Sequence, residues 1–196
     1  MQKIAGLCGI ISPLLSLLFI SLAISNSLSW FSWKDNALSD LAGTQATTTA
    51  ATIFNSGLII GAFLSIIFAV GLMQTLQKRI IGFTGTLTLL LAYMSLFAIG
   101  VFPETADRIH FYVSVAFFSL FPISMFFIGA SMIKETSERT LGVATILLGI
   151  FAVLSAAPIM LTRVEDIGIH ELLAILSGSM WSIVLGIKLY RQSVLT

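Results

Sequence analysis

Six apolar runs, each about as long as a membrane is thick, decide what this chain can become. They cover roughly Ile4–Ser25, Ile53–Met73, Ile80–Val101, Phe111–Ile133, Thr140–Met160 and Ile169–Tyr190. About 20 apolar residues in helical form cross the hydrocarbon of a bilayer. Inside lipid every backbone N–H and C=O must find a protein partner, which leaves helices or a closed barrel. The sequence lacks the alternating segments of about ten residues that mark barrel strands. The expected fold is all-α: a polytopic membrane protein, a six-transmembrane-helix bundle read as one domain over residues 1–196.

Composition points the same way. Hydrophobic residues make up 57% of the chain and charged residues 10%, whereas a soluble domain is about a quarter charged. Too few polar side chains remain to clothe a surface facing water. A formal net charge of +1 gives no reason to expect nucleic acid as a partner. The single cysteine, Cys8, lies in the first run and cannot close an intrachain disulfide. That run is longer than the roughly 7–15 apolar residues of a signal peptide, so it reads as a retained span.

With six spans, both termini share a side. That side holds Lys3, Lys78, Arg79, Lys134, Arg139, Lys188 and Arg191; the other holds Lys34, Arg108 and Arg163. Short loops rich in Lys and Arg stay in the cytoplasm. The expectation is a multi-pass protein of the cell membrane with cytoplasmic N- and C-termini. The acids sort oppositely: Asp35, Asp40, Glu104, Asp107, Glu165, Asp166 and Glu171 fall outside, with both histidines, and Glu135 and Glu138 inside. The spans carry no ionisable side chain near their midplanes, which argues against voltage sensing and proton pumping.

The spans pair as three outer hairpins. The second helix of each has a polar residue near its outer start: Asn55, His110 and His170. Asp107 and Asp166 precede the two histidines by about one turn. Residues three or four apart share a helix face, so each acid is placed to orient its imidazole. This resembles a degenerate threefold repeat. Pro103 and Pro158 sit near helix ends, while Pro122 lies inside the fourth span and is expected to bend it. Gly57 and Gly61 form a G-x-x-x-G pair, a face for close helix approach within the chain or in a homo-oligomer.

The first outer loop is the longest and holds "WFSWKDNALSDLAG", Trp30 to Gly43. Its tryptophans suit the headgroup level. Ser32 and Asp35 have capping spacing, and Gly43 can end a helix. Leu38, Leu41 and Ala42 would share one face, Asn36 and Asp40 another. The expectation is a short amphipathic helix, a candidate lid over the hairpin mouths.

"NALSDLAG", then "IFNSGLIIGAF", then "GVFPE" with a histidine soon after resemble an uncharacterised family of six-span archaeal and bacterial membrane proteins bearing a domain-of-unknown-function label. That family is distantly similar to the eukaryotic Frag1/DRAM/Sfk1 membrane proteins, which are linked to lipid handling and autophagy. The resemblance implies a six-helix fold and no particular reaction. It singles out Asn36, Ser39, Asp40, Asn55, Pro103 and His110.

The candidate outer pocket comprises Asn36, Ser39, Asp40, Asn55, Asp107, Arg108, His110, Arg163, Asp166, His170 and Glu171. Its expected occupant is a lipid headgroup or another amphiphile, with membrane lipids as partners. Arg108 and Arg163 could hold phosphates as bidentate donors, or pair with Asp107 and Glu165. The alternatives are ligand-bearing. His110, His170 and Asp40 have the donor types of an open zinc site suited to outer-leaflet lipid hydrolysis, and the two histidines suit bis-histidine haem ligation between helices. Ser39 lacks a G-x-S-x-G elbow. Nothing in the sequence requires a cofactor.

Overall fold

In the computed structural model, which describes residues 1–161 and 166–195, the six runs are six helices. They are α1 (Gln2–Ser25), α2 (Thr48–Leu76), α3 (Ile80–Val101), α4 (Arg108–Ile133), α5 (Arg139–Leu161) and α6 (Ile167–Leu195). All six are long and apolar enough to cross a membrane, and the described residues contain no strand. α2 begins five residues before its apolar run because Thr47 caps it, its hydroxyl accepting the Ala50 N–H at 3.1 Å. Apolarity marks where lipid begins, whereas the cap marks where the helix begins.

Each helix packs on its neighbours in the chain, and α6 closes onto α1, so the six form a ring. Small residues set the close approaches. A methyl group on Gly6 would lie 2.8 Å from the Gly186 carbonyl oxygen, and one on Gly186 2.8 Å from that of Gly6. Gly57 and Gly61 are buried against Phe19 and Ser16 of α1, so the G-x-x-x-G face is taken up within the chain.

One half of the ring's lumen is filled. Phe68 of α2, Tyr93 of α3, Phe121 of α4 and Trp181 of α6 meet there, with Trp181 edge-on to Phe68 at 6.2 Å and to Phe121 at 5.8 Å. The buried indole N–H donates to Thr145 of α5 at 3.2 Å, the polar partner that a buried tryptophan needs. Beyond this plug, Arg79 pairs with Glu135 and donates to the Ser131 carbonyl at 2.9 Å, and Lys188 pairs with Glu138. The first pair ties the α2–α3 turn to the α4–α5 turn, and the second ties the α4–α5 turn to α6.

Proline decides how the ring closes. Pro13 has no N–H, so the carbonyl of Gly9 loses its helical donor. In lipid such a group must be satisfied by a neighbour. Ser182 of α6 donates to it at 2.9 Å. α4 continues through Pro122, which is buried and faces the lumen; Ser124 donates to the Phe121 carbonyl nearby.

The segment expected as an amphipathic helix from about Asp35 is a shorter 3-10 helix, Leu38–Ala42. The Asn36 side chain explains the difference. Its oxygen accepts the Ser32 N–H at 3.0 Å and holds residues 32–36 in a turn. Helical geometry then starts after Ala37, whose N–H is accepted by Asp40 at 3.0 Å. Leu38, Leu41 and Ala42 are buried against Ile20, Phe54, Leu58 and Ile99, so the turn plugs one end of the ring.

The proline account makes a reciprocal prediction. Ser182→Ala leaves the Gly9 carbonyl unpaired and should destabilise the bundle by about 1–2 kcal/mol. Pro13→Ala restores a donor and should remove most of that loss in the double variant. Denaturant unfolding in detergent of the wild type, both single variants and the double variant measures the coupling; additive effects would contradict it.

Candidate functional site

Between the aromatic plug and the 3-10 turn the lumen is open, leaving a cavity of about 900 Å³. Its floor is polar. Ser65 donates to Ser12 at 3.0 Å, and the Tyr93 hydroxyl is hydrogen-bonded to the side chains of Ser65 and Ser182. The walls are apolar, with Leu58, Leu96, Ile99, Phe117, Phe121 and Ile175 among the lining residues. Asp35, Asp107, Phe111 and Tyr112 line it and are exposed, so the cavity reaches the surface beside the start of α4.

The rim is built from four segments. Glu171, buried near the start of α6, accepts the Leu38 N–H and fastens the 3-10 turn to that helix. Asp40, on the turn, accepts from Ala37 and from the Asn36 amide, both at 3.0 Å. Glu104, in a short turn between α3 and α4, is hydrogen-bonded to Asp40. Two carboxyl groups share a hydrogen bond only if one keeps its proton. Burial first, and then the neighbouring Asp40, push the Glu104 carboxyl up to about 7. His110, on the first turn of α4, is 9% exposed and lines the cavity. Its Nδ1 lies 2.8 Å from the Phe102 carbonyl oxygen. A carbonyl can only accept, so Nδ1 carries the proton and Nε2 of the neutral ring is a bare acceptor.

Of the residues singled out from the sequence, Ser39, Asp40, Asp107, His110 and Glu171 line the cavity, and Asn36 braces it through Asp40. Four others neither line it nor brace it. The backbone of Asn55 packs near Gly100 on α3, and its buried amide oxygen has no partner. Arg108 and Asp166 are exposed outside the wall. His170 is half-buried outside it, with its Nδ1 unpartnered. Arg163 and Glu165 lie outside the described residues.

The expected carboxylate–histidine pairs do not form. Asp107 and Asp166 precede their helices with φ of 49° and 63°, so neither belongs to the helical face its histidine occupies. Asp166 instead donates its N–H to the Lys34 carbonyl at 2.9 Å. His170 is not among the residues that line the space His110 lines. Among the described residues no three of His, Cys, Asp and Glu form a metal-holding group.

Sequence reasoning missed Glu104 and the hydroxyl floor. Glu104 had a signal, since it follows Pro103 directly where α3 has ended and α4 has not begun. Ser12, Ser65, Tyr93 and Ser182 carry none beyond being polar in lipid-length helices.

A family model described as "Protein of unknown function (DUF998)" matches residues 10–188. No curated protein and no solved structure matches the chain.

The shared proton sets a pH dependence. A carboxyl that binds its proton more tightly when docked than in water stabilises docking fully below its ordinary value of 4.5. That contribution declines as pH climbs to about 7. Amide exchange of residues 38–43, corrected for intrinsic rate, should therefore accelerate between about pH 5 and about pH 7. Glu104→Gln should make the profile shallower, with Glu171 remaining as a second carboxyl bonded to the same turn; a wild-type profile that is already flat would contradict the shared proton.

Proposed function

We propose that this chain, which belongs to the DUF998 family of proteins of unknown function, sits in the cell membrane with its rim outside and both termini in the cytoplasm, where its lumen binds an amphiphile. The head lies at the rim under the 3-10 turn, and the chain runs along the apolar walls toward the plug.

The observation that carries this reading is the cavity itself: about 900 Å³ with a charged rim and apolar walls. Small-molecule sites run from roughly 300 to 1,000 Å³ and combine apolar linings with a few placed polar groups. Water is poorly held by apolar walls, whereas an alkyl chain is suited to them. The exposed Phe111 and Tyr112 stand at the rim, where aromatic side chains suit the membrane interface. They offer an entry from the bilayer beside Asp107. Sidedness rests on the Lys and Arg distribution, whose cytoplasmic preference assigns the plug end to the inside. A smaller depression of about 310 Å³ at that end is rimmed by the Arg79–Glu135 and Lys188–Glu138 pairs, so those charges are already matched.

Two measurements test this. Protein purified in neutral detergent should yield one bound amphiphile on solvent extraction and mass spectrometry. Ala156→Phe, which fills the cavity from α5, should abolish that yield without lowering the unfolding midpoint. Equal yields from both proteins would overturn the pocket. For sidedness, Cys8 is buried, so single added cysteines report cleanly. Thr44→Cys should react with a membrane-impermeant maleimide on intact cells and Thr136→Cys only after permeabilisation; the reverse pattern would invert the topology.

A further inference from the structure

Resting on that reading of the lumen, we propose that the head it accepts is a protonated amine. The rim offers acceptors. Asp35, Asp40, Glu104, Asp107 and Glu171 all line the cavity, and no lysine or arginine does so among the described residues. Lys34 and Arg108, the described cations at this end, are both outside the wall.

Three donors of the turn are already committed. The Leu38 N–H goes to Glu171, and the Ala37 N–H and the Asn36 amide go to Asp40. A phosphate or carboxylate head would therefore meet negative charge with hydroxyls such as those of Ser39 and Tyr112, but no lysine or arginine among the described residues, to hold it. An ammonium has three donors and no acceptor, the complement of this rim.

His110 supplies an independent indication. It is nine-tenths buried in the cavity wall, and its Nδ1–H is committed to the Phe102 carbonyl. Nε2 has no protein partner among the described residues. An N–H from the head satisfies it, and a phosphate oxygen cannot. Charge pairing is also what lets a cation leave water for a partly buried site. Phe111 and Tyr112 stand at the same rim, and their ring faces suit a passing cation.

The test uses three probes sharing one alkyl chain: hexadecylamine, hexadecyl phosphate and hexadecanol. Each is titrated into the full-length protein in a neutral maltoside detergent at about pH 8.5, where the amine is still protonated and the Glu104 carboxyl has given up the proton it shares with Asp40, and occupancy is read by native mass spectrometry. The expected result is one amine bound at least about tenfold more tightly than either other probe. Glu104→Gln and, separately, Glu171→Gln should each weaken the amine by about tenfold and leave the alcohol unchanged. Glu171→Gln keeps an oxygen that can accept the Leu38 N–H, so the 3-10 turn retains its anchor, and an unchanged unfolding midpoint checks this. Phosphate or alcohol binding as tightly as amine would overturn the amine head while leaving the pocket standing. Variants that bind amine like the wild type would overturn it equally. Failure of all three probes on the wild type would overturn the pocket reading itself.

Discussion

A backbone polar group in lipid has no water to turn to, and the rest of this structure follows from that constraint. It forces the apolar runs into helices. It also explains the joint between the first and last of them. Pro13 frees a carbonyl in the middle of α1, Ser182 answers it from α6, and close-packed Gly6 and Gly186 bring the two backbones near enough. A chain whose ends meet in this way becomes a ring of helices, and a ring has a lumen. The pocket is thus a consequence of how the bundle meets its hydrogen-bonding needs.

What the lumen becomes depends on side-chain size along it. Phe68, Phe121 and Trp181 fill one half, each anchored by neighbours from other helices. Toward the other end Ala152, Ala156 and Ala174 take the corresponding wall positions, and the space stays open. The 3-10 turn covers that space without filling it. Its apolar residues seat on α1, α2 and α3 while its N–H groups bind the carboxylates of Asp40 and Glu171. Cover and rim are therefore one unit, and a change in charge at Glu104 acts on both.

Much of this was legible in the chain. Lipid-length apolar runs specify six helices because the solvent leaves no alternative. Leu38, Leu41 and Ala42 against Asn36 and Asp40 already read as a segment with a dry and a wet face, and the structure buries those three apolar residues. The details that were not legible depend on single side-chain bonds. Asn36 folding back on Ser32 turned the expected helix into a five-residue 3-10 helix. Asp107 and Asp166, placed beside their histidines by helix spacing, sit in left-handed backbone just before the helices, where that spacing rule does not apply. His170 shares a pattern with His110 but not a wall. Glu104 and the Ser12–Ser65–Tyr93–Ser182 floor come together only when the ring closes, and no local spacing announces a contact between helices distant in sequence.

The central claim is that the lumen is a site for an amphiphile and not merely a packing gap. The most direct measurement is an electron cryo-microscopy map of the protein extracted with its native lipids. It should show elongated density running from the wall beside Phe121 to the rim, ending within hydrogen-bonding distance of Glu171 and His110. A lumen closed by repacked side chains, or holding isolated water peaks alone, would contradict the account.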